Sequence, residues 1–172
     1  MTLKNTPIDT LNHTKTDSST VDKVLMRLAI GQAKLGEMKG EVPVGAIIVD
    51  KNGKIVAKAT NLREKVKSTL GHAELVVIHR ACKKLGSWRL TDCTLYVTLE
   101  PCFMCAGALQ QSRISRVVYA AVDPKGGALE SLAQMGNDPR LNHRFNVTGG
   151  VLEHECSQLL KEFFKAKRKK QP

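Results

Sequence analysis

Two cysteines three positions apart, Cys102 and Cys105, follow directly on Pro101, and a His-x-Glu pair, His72 and Glu74, stands upstream. Helical positions three apart share a face, so the two sulfurs can converge on one cation, and a helix N-terminus favours the thiolate that binds metal. A neutral imidazole from His72 supplies a third donor of the kind Zn²⁺ accepts. No fourth donor is adjacent in sequence. Three protein ligands with one open position suit catalysis, because structural zinc sites close the tetrahedron with a fourth Cys or His. The open position suits water, and Glu74 suits the proton that such water must lose. Residues two apart on a helix point about 200° apart, so His72 and Glu74 serve one cation only if His72 stands at the helix mouth.

Singly, these motifs are ambiguous: C-x-x-C also serves redox pairs and halves of structural zinc sites. Joined as H-x-E and P-C-x-x-C, they match the signature of zinc nucleobase deaminases. The remaining cysteines, Cys82, Cys93 and Cys156, stand alone in apolar segments and read as packing residues. An odd count of five argues against a secreted disulfide framework. His79, His143 and His154 read as packing or surface residues and receive no metal role.

Several elements must position these groups. Ser19 and Asp22 resemble a capping box before a helix that carries Val21, Val24, Leu25, Leu28, Ala29 and Ala33 to Gly36 and Gly40. Residues 44–49 and 54–58 read as a hairpin across Asp50 to Gly53. A helix introduced by Gly71 runs to Gly86, residues 93–98 form a strand, and Pro101 opens a helix toward Ser112. Residues 117–121 and 145–151 are further strands. Between them, 123–144 holds a short helical piece in a loop that is a candidate substrate wall. Leu159, Leu160, Phe163 and Phe164 lie on a last helix. A hairpin followed by strand-helix alternation predicts one α/β sheet flanked by helices and parallel at its far end. Both motifs then open helices at strand-to-helix junctions, where such sheets place their sites.

At 172 residues, with 42% hydrophobic and 25% charged residues, the chain fits one domain. Residues 1–20 lack the periodicity to bury a face and read as a mobile extension to a domain over 21–170. A net charge of +11 points to a polyanion, foremost nucleic acid. No apolar run is long enough to span a bilayer and no signal peptide is visible, which predicts a soluble cytoplasmic protein with no membrane partner. Aromatics are 4% of residues, so stacking platforms for RNA are few. Phe163 and Phe164 face about 100° apart, so one belongs to the core and the other is available to RNA. Lys165 to Lys170, five of six basic, reads as a phosphate-binding tail.

The runs Glu41-Val42-Pro43-Val44-Gly45-Ala46, His72-Ala73-Glu74 and Leu95 to Ala108 resemble the bacterial tRNA-specific adenosine deaminases of the cytidine and deoxycytidylate deaminase superfamily. The similarity extends from Val21 to Arg168 and includes Asp123-Pro124-Lys125, Asn142-His143-Arg144 and Phe163-Phe164 before a basic terminus. It implies a three-layer αβα cytidine-deaminase-like fold around a mixed five-stranded sheet. It also implies hydrolytic deamination of the wobble adenosine of a tRNA anticodon stem-loop to inosine, on a homodimer with one Zn²⁺ per subunit. His72, Cys102 and Cys105 would hold the zinc and Glu74 would move the protons. Asn61 would hydrogen-bond the flipped base, the backbone at Ala73 and Cys102 would hold its edge, and Asp123 would contact the flanking ribose, with Phe163 and Phe164 available to the RNA. Two rivals stand beside this reading. A deaminase of free cytidine, deoxycytidylate or guanine would use the same zinc and glutamate, but gains little from +11. A zinc-stabilised RNA-binding module would have no use for Glu74.

Overall fold

Side chains alternate between the faces of a strand, and here both faces are apolar, so the sheet must be covered twice. The computed structural model describes residues 18–169. Among these, strands β1 (Gly45–Val49), β2 (Ile55–Thr60), β3 (Thr94–Leu99), β4 (Arg116–Ala121) and β5 (Asn146–Thr148) form one sheet in the order β2-β1-β3-β4-β5. β1 runs antiparallel to β2 and β3, whereas β3, β4 and β5 are mutually parallel. The helices are α1 (Ser18–Glu37), α2 (Arg63–Val66), α3 (Ala73–Leu85), α4 (Phe103–Gln111) and α5 (Glu153–Lys169). The expected mixed sheet between helical layers is therefore present.

Ala46, Ile48, Leu95, Val97, Val117 and Tyr119 pack in one buried layer with Ala73, Val77 and Ala81 of α3 and Ala106 and Leu109 of α4. The intervening Ile47, Val49, Tyr96, Val118 and Ala120 pack in the other, with Leu25, Met26, Ala29 and Ile30 of α1 and Cys156 of α5. Cys93 and Cys156 are buried, as their apolar settings suggested, and Cys82 is half-buried. Helices α3 and α4 follow β2 and β3 on one face, which brings their N-termini to the same end of the sheet.

Four local expectations are corrected. α1 begins at Ser18, and Asp22 is buried instead of serving a capping box. Its carboxylate accepts from Arg116 Nη1 and Nη2 at 2.9 and 2.7 Å and from the Tyr96 hydroxyl at 2.8 Å. Arg116 Nη2 also donates to Thr148 Oγ1 at 3.0 Å, so one carboxylate ties α1 to β3, β4 and, through Arg116, β5. α4 begins at Phe103 with Cys102 as its N-cap, two residues beyond the expected Pro101. The Pro101 carbonyl is already taken by Ala128 N–H at 2.9 Å, which keeps this stretch extended. The loop after β4 contains turns instead of a helical piece, while α2 forms inside the polar segment after β2. β5 ends at Thr148 because Gly150 (φ +80°) and Leu152 (φ +59°) turn the chain into α5. Residues 1–17 of the expected extension and Lys170 of the basic tail lie outside the described residues.

Replacing Asp22 by Ala leaves the Tyr96 hydroxyl without its acceptor and Arg116 without its counter-charge, with Thr148 as its remaining partner. The expected cost is about 2–4 kcal/mol. Urea unfolding should show the midpoint falling with an unchanged slope.

Candidate active site

The sequence His72-Ala73-Glu74 leaves a 3-10 turn (Thr69–Gly71) and enters α3 with His72 as an extended N-cap, φ −64° and ψ 141°. Cys102, at φ −72° and ψ 172°, plays the same part for α4, and Cys105 lies in that helix's first turn. Two helix mouths thus meet. His72 Nδ1 stands 3.7 Å from Cys102 Sγ and 3.5 Å from Cys105 Sγ, and all three donor atoms lie within 4.8 Å of one another. Zinc bonds of about 2.05 Å to nitrogen and 2.3 Å to sulfur at a tetrahedral angle place N and S about 3.6 Å apart. The residues fit that ion.

The protonation of the pair supports the same conclusion. Hydrogen bonds from Cys105 and then His72 hold the Cys102 thiol down to about 3, while its hydrogen bond with Cys102, together with burial, pushes Cys105 up. In the absence of a cation, adjacent sulfurs do not readily both ionise; a bound cation allows both to be thiolates. The hydrogen bond to Cys102 raises His72 above its ordinary value, against the opposing effect of burial.

Glu74 lines the same cavity and is only 4% exposed. Burial raises its carboxyl pKa, against the pull of its own backbone amide and of His72. A carboxyl tuned this way exchanges protons more readily near neutrality than an exposed one. The cavity measures about 190 Å³. Pockets for drug-sized ligands run about 300–1,000 Å³, so this one suits a single heterocycle, with attached groups outside.

Val42, Val44 and Leu99 give the cavity apolar surface, and Asn61, Asp123 and Phe164 stand around it. Asn61 is buried and Phe164 is 44% exposed. Phe163 does not line the cavity: at 7% exposed it packs inward, its ring 5.4 Å from that of Phe164 in an edge-on contact. Adjacent helical positions diverge by about 100°, which separates the two rings. Ala73 is wholly buried in the core layer, and its side chain is not part of the lining. His79 and His154 are exposed, and His143 Nε2 lies 2.7 Å from the Ile114 carbonyl, away from the metal-ligating group.

Three residues gained no role from the sequence. Arg63, on α2, lines the cavity. Glu41 is buried and accepts from Asn61 Nδ2 at 3.4 Å and from the amides of Glu64 and Lys65 at 3.2 and 2.9 Å. Glu100 is buried beneath the loop after β4 and accepts from the amides of Asp123, Leu129, Glu130 and Ser131. Both glutamates belong to the quoted motif runs, but nothing in composition or spacing distinguishes a carboxylate that braces a loop from one that reacts.

Residues 21–168 match the family described as MafB19-like deaminase. The tRNA-specific adenosine deaminase of Bacillus subtilis is 52% identical over 151 residues, covering 88% of this chain and 93% of that one. The chain belongs to the tRNA-specific adenosine deaminases. The relative of the same name from Aquifex aeolicus is 48% identical, over 83% of this chain and 93% of its own. A solved structure from studies of A-to-I editing by tRNA:A34 deaminases superposes with a TM-score of 0.75 at 41% identity, covering 78% of this chain and 97% of that one. The mixed five-stranded sheet between helices is the cytidine-deaminase-like fold of that neighbour.

Proposed function

We infer that this protein converts adenosine to inosine, with release of ammonia, at the wobble position of a tRNA anticodon loop. The observation that carries this reading is a buried carboxylate, Glu74, sharing a base-sized cavity with a zinc-type donor triad beneath an exposed aromatic ring. His72 Nδ1 and the two sulfurs would hold one zinc ion per subunit. Zinc, when bound, supplies Lewis acidity that makes water a competent nucleophile near neutral pH.

Every other part of the reaction falls to the chain. Glu74 takes one proton from the water that attacks C6 of adenine and gives it to N1, then takes the second from the hydroxyl of the C6 adduct and gives it to the departing amine. Water adds at C6, the C–N bond to the amine breaks, and ammonia and inosine are the products. The Asn61 side chain, steadied by Glu41, faces the base, and Val42, Val44 and Leu99 keep bulk water from its faces. Asp123 stands at the rim for the flanking ribose. Phe164 offers a stacking surface, a recurrent means of holding splayed bases. Beyond it Lys165, Lys167, Arg168 and Lys169 are exposed on the last turns of α5, in position for phosphates.

The family resemblance supports a homodimer, and exposed Phe103 and Met104 on the first turn of α4 offer apolar surface for it. A tRNA substrate supports a cytoplasmic location. Among the described residues no helix is long and apolar enough to cross a membrane. The test is parallel incubation with an anticodon stem-loop, free adenosine, cytidine and guanine, followed by nucleoside analysis. Inosine should appear in the RNA alone. Turnover restricted to the free compounds would overturn the reading.

A further inference from the structure

The loop after β4 carries Asp123, yet it has no regular structure of its own to hold that residue in place. What holds it is Glu100. Its Oε2 accepts from Asp123 N–H at 3.0 Å, and its Oε1 from Leu129, Glu130 and Ser131 N–H at 3.1, 2.9 and 3.0 Å. The Ser131 hydroxyl donates to Oε2 as well. Burial works to raise the Glu100 pKa, but the bonds from Ser131, Asp123 and Glu130 prevail and hold it below its ordinary value. The approach is close: a Cβ on Gly127 would stand 2.2 Å from this carboxylate. Backbone bonds complete the seam, with Glu100 N–H to Ala121 O at 2.8 Å, Ala128 N–H to Pro101 O at 2.9 Å, and an isolated antiparallel bridge between Cys102 and Gly127.

Asp123 is prepared for use at the end of this seam. Its Oδ1 accepts from Lys125 and Gly126 N–H at 3.1 and 3.2 Å, which fixes the side chain in its own turn while it lines the cavity. Glu100 precedes Cys102 by two residues, so one carboxylate sets the distance between the metal-binding arm and the loop that meets the nucleotide.

We propose that Glu100 is a positioning residue for substrate: by gathering the amides of the loop from Asp123 to Ser131 onto the metal-binding arm, it places Asp123 against the nucleotide flanking the target base. This rests on the reading of the site as an RNA deaminase. Because Glu100 acts through Asp123, its removal weakens substrate fit more than chemistry. Glu100→Gln keeps the shape but turns an acceptor into a donor that faces the Asp123 amide or the Ser131 hydroxyl.

The test is steady-state kinetics on an anticodon stem-loop RNA with the zinc-loaded protein and its E100Q, D123A and E100Q/D123A variants, with zinc content and melting temperature measured for each. For E100Q, KM should rise about tenfold or more while kcat stays within about threefold and zinc content is unchanged, because a misplaced contact away from the reacting atoms costs binding. In the D123A background the same change should have little further effect on KM. E100D, which keeps the charge but shortens the reach, should recover part of the loss. Equal effects of E100Q on KM in both backgrounds, or a loss confined to kcat, zinc content or melting temperature, would overturn the proposal while leaving the RNA deaminase reading in place. Absence of RNA turnover in the wild-type protein would overturn both.

Discussion

Glu74→Gln should lower turnover by about a thousandfold or more while zinc content stays at one per chain and RNA affinity changes little. Positioned acid–base groups contribute about 10²–10⁴ in rate, and Glu74 is asked both to take a proton and to give it back, which places the loss toward the upper part of that range. The glutamine fills the same space but carries no exchangeable carboxyl proton. Burial already disfavours the charged form of Glu74. Its replacement should therefore leave the melting temperature unchanged or raise it, as happens when a strained functional group is removed. Turnover by quenched-flow or discontinuous inosine assay, beside metal analysis of the same sample, checks the separation. Full activity in the variant would remove the proton-transfer role and restore the rival of a zinc-stabilised RNA-binding module.

The second large effect comes from the donor triad. Cys105→Ala should abolish metal binding and turnover together, because Cys105 Sγ is one of only two sulfurs in the group, which no fourth residue joins among the described residues. Stability falls too. A ligand present at 100 to 1,000 times its dissociation constant stabilises the folded state by about 2.7–4.1 kcal/mol, and zinc held by two thiolates readily reaches that regime. Chelation should therefore lower the wild-type melting temperature and leave that of Cys105→Ala nearly unmoved. Metal affinity should also weaken on acidification, because protons compete for both thiolates and the imidazole. Elemental analysis and thermal melts with and without chelator decide the matter. Full turnover in metal-free wild-type protein would exclude the zinc assignment.

Most of the elements, and the meeting of His72 with Cys102 and Cys105, are legible in the sequence. The short apolar run at residues 44–49, the strand at 93–98 and helical spacing after His72 are local signals, and motifs that fill fixed offsets read directly. What escaped depends on contacts distant in sequence. Asp22 has the spacing of a capping residue from Ser19, and only Arg116 and Tyr96 draw it inward. Pro101 has the look of a helix opener, but the loop at Ala128 claims its carbonyl and the helix waits two residues. Glu41 and Glu100 are acidic residues at the edges of motifs, and their work lies in backbone amides 23 to 31 residues away, which no periodicity reports. The two phenylalanines show the reverse case, since simple helix geometry separated the ring packed inward from the ring at the cavity rim.

The outer layer of the core joins the two ends of the described chain. Leu25, Met26, Ala29 and Ile30 are buried with Cys156, and Asp22 finds its arginine 94 positions later. As the chain leaves the ribosome, α1 precedes the strands that cover its apolar stripe, and its carboxylate waits for Tyr96 on β3 and Arg116 on β4. This layer therefore stays open until β4 has been made, and α5 then adds Cys156 to it. A message cut short before Cys156 yields bait for proteases and chaperones, not a smaller enzyme.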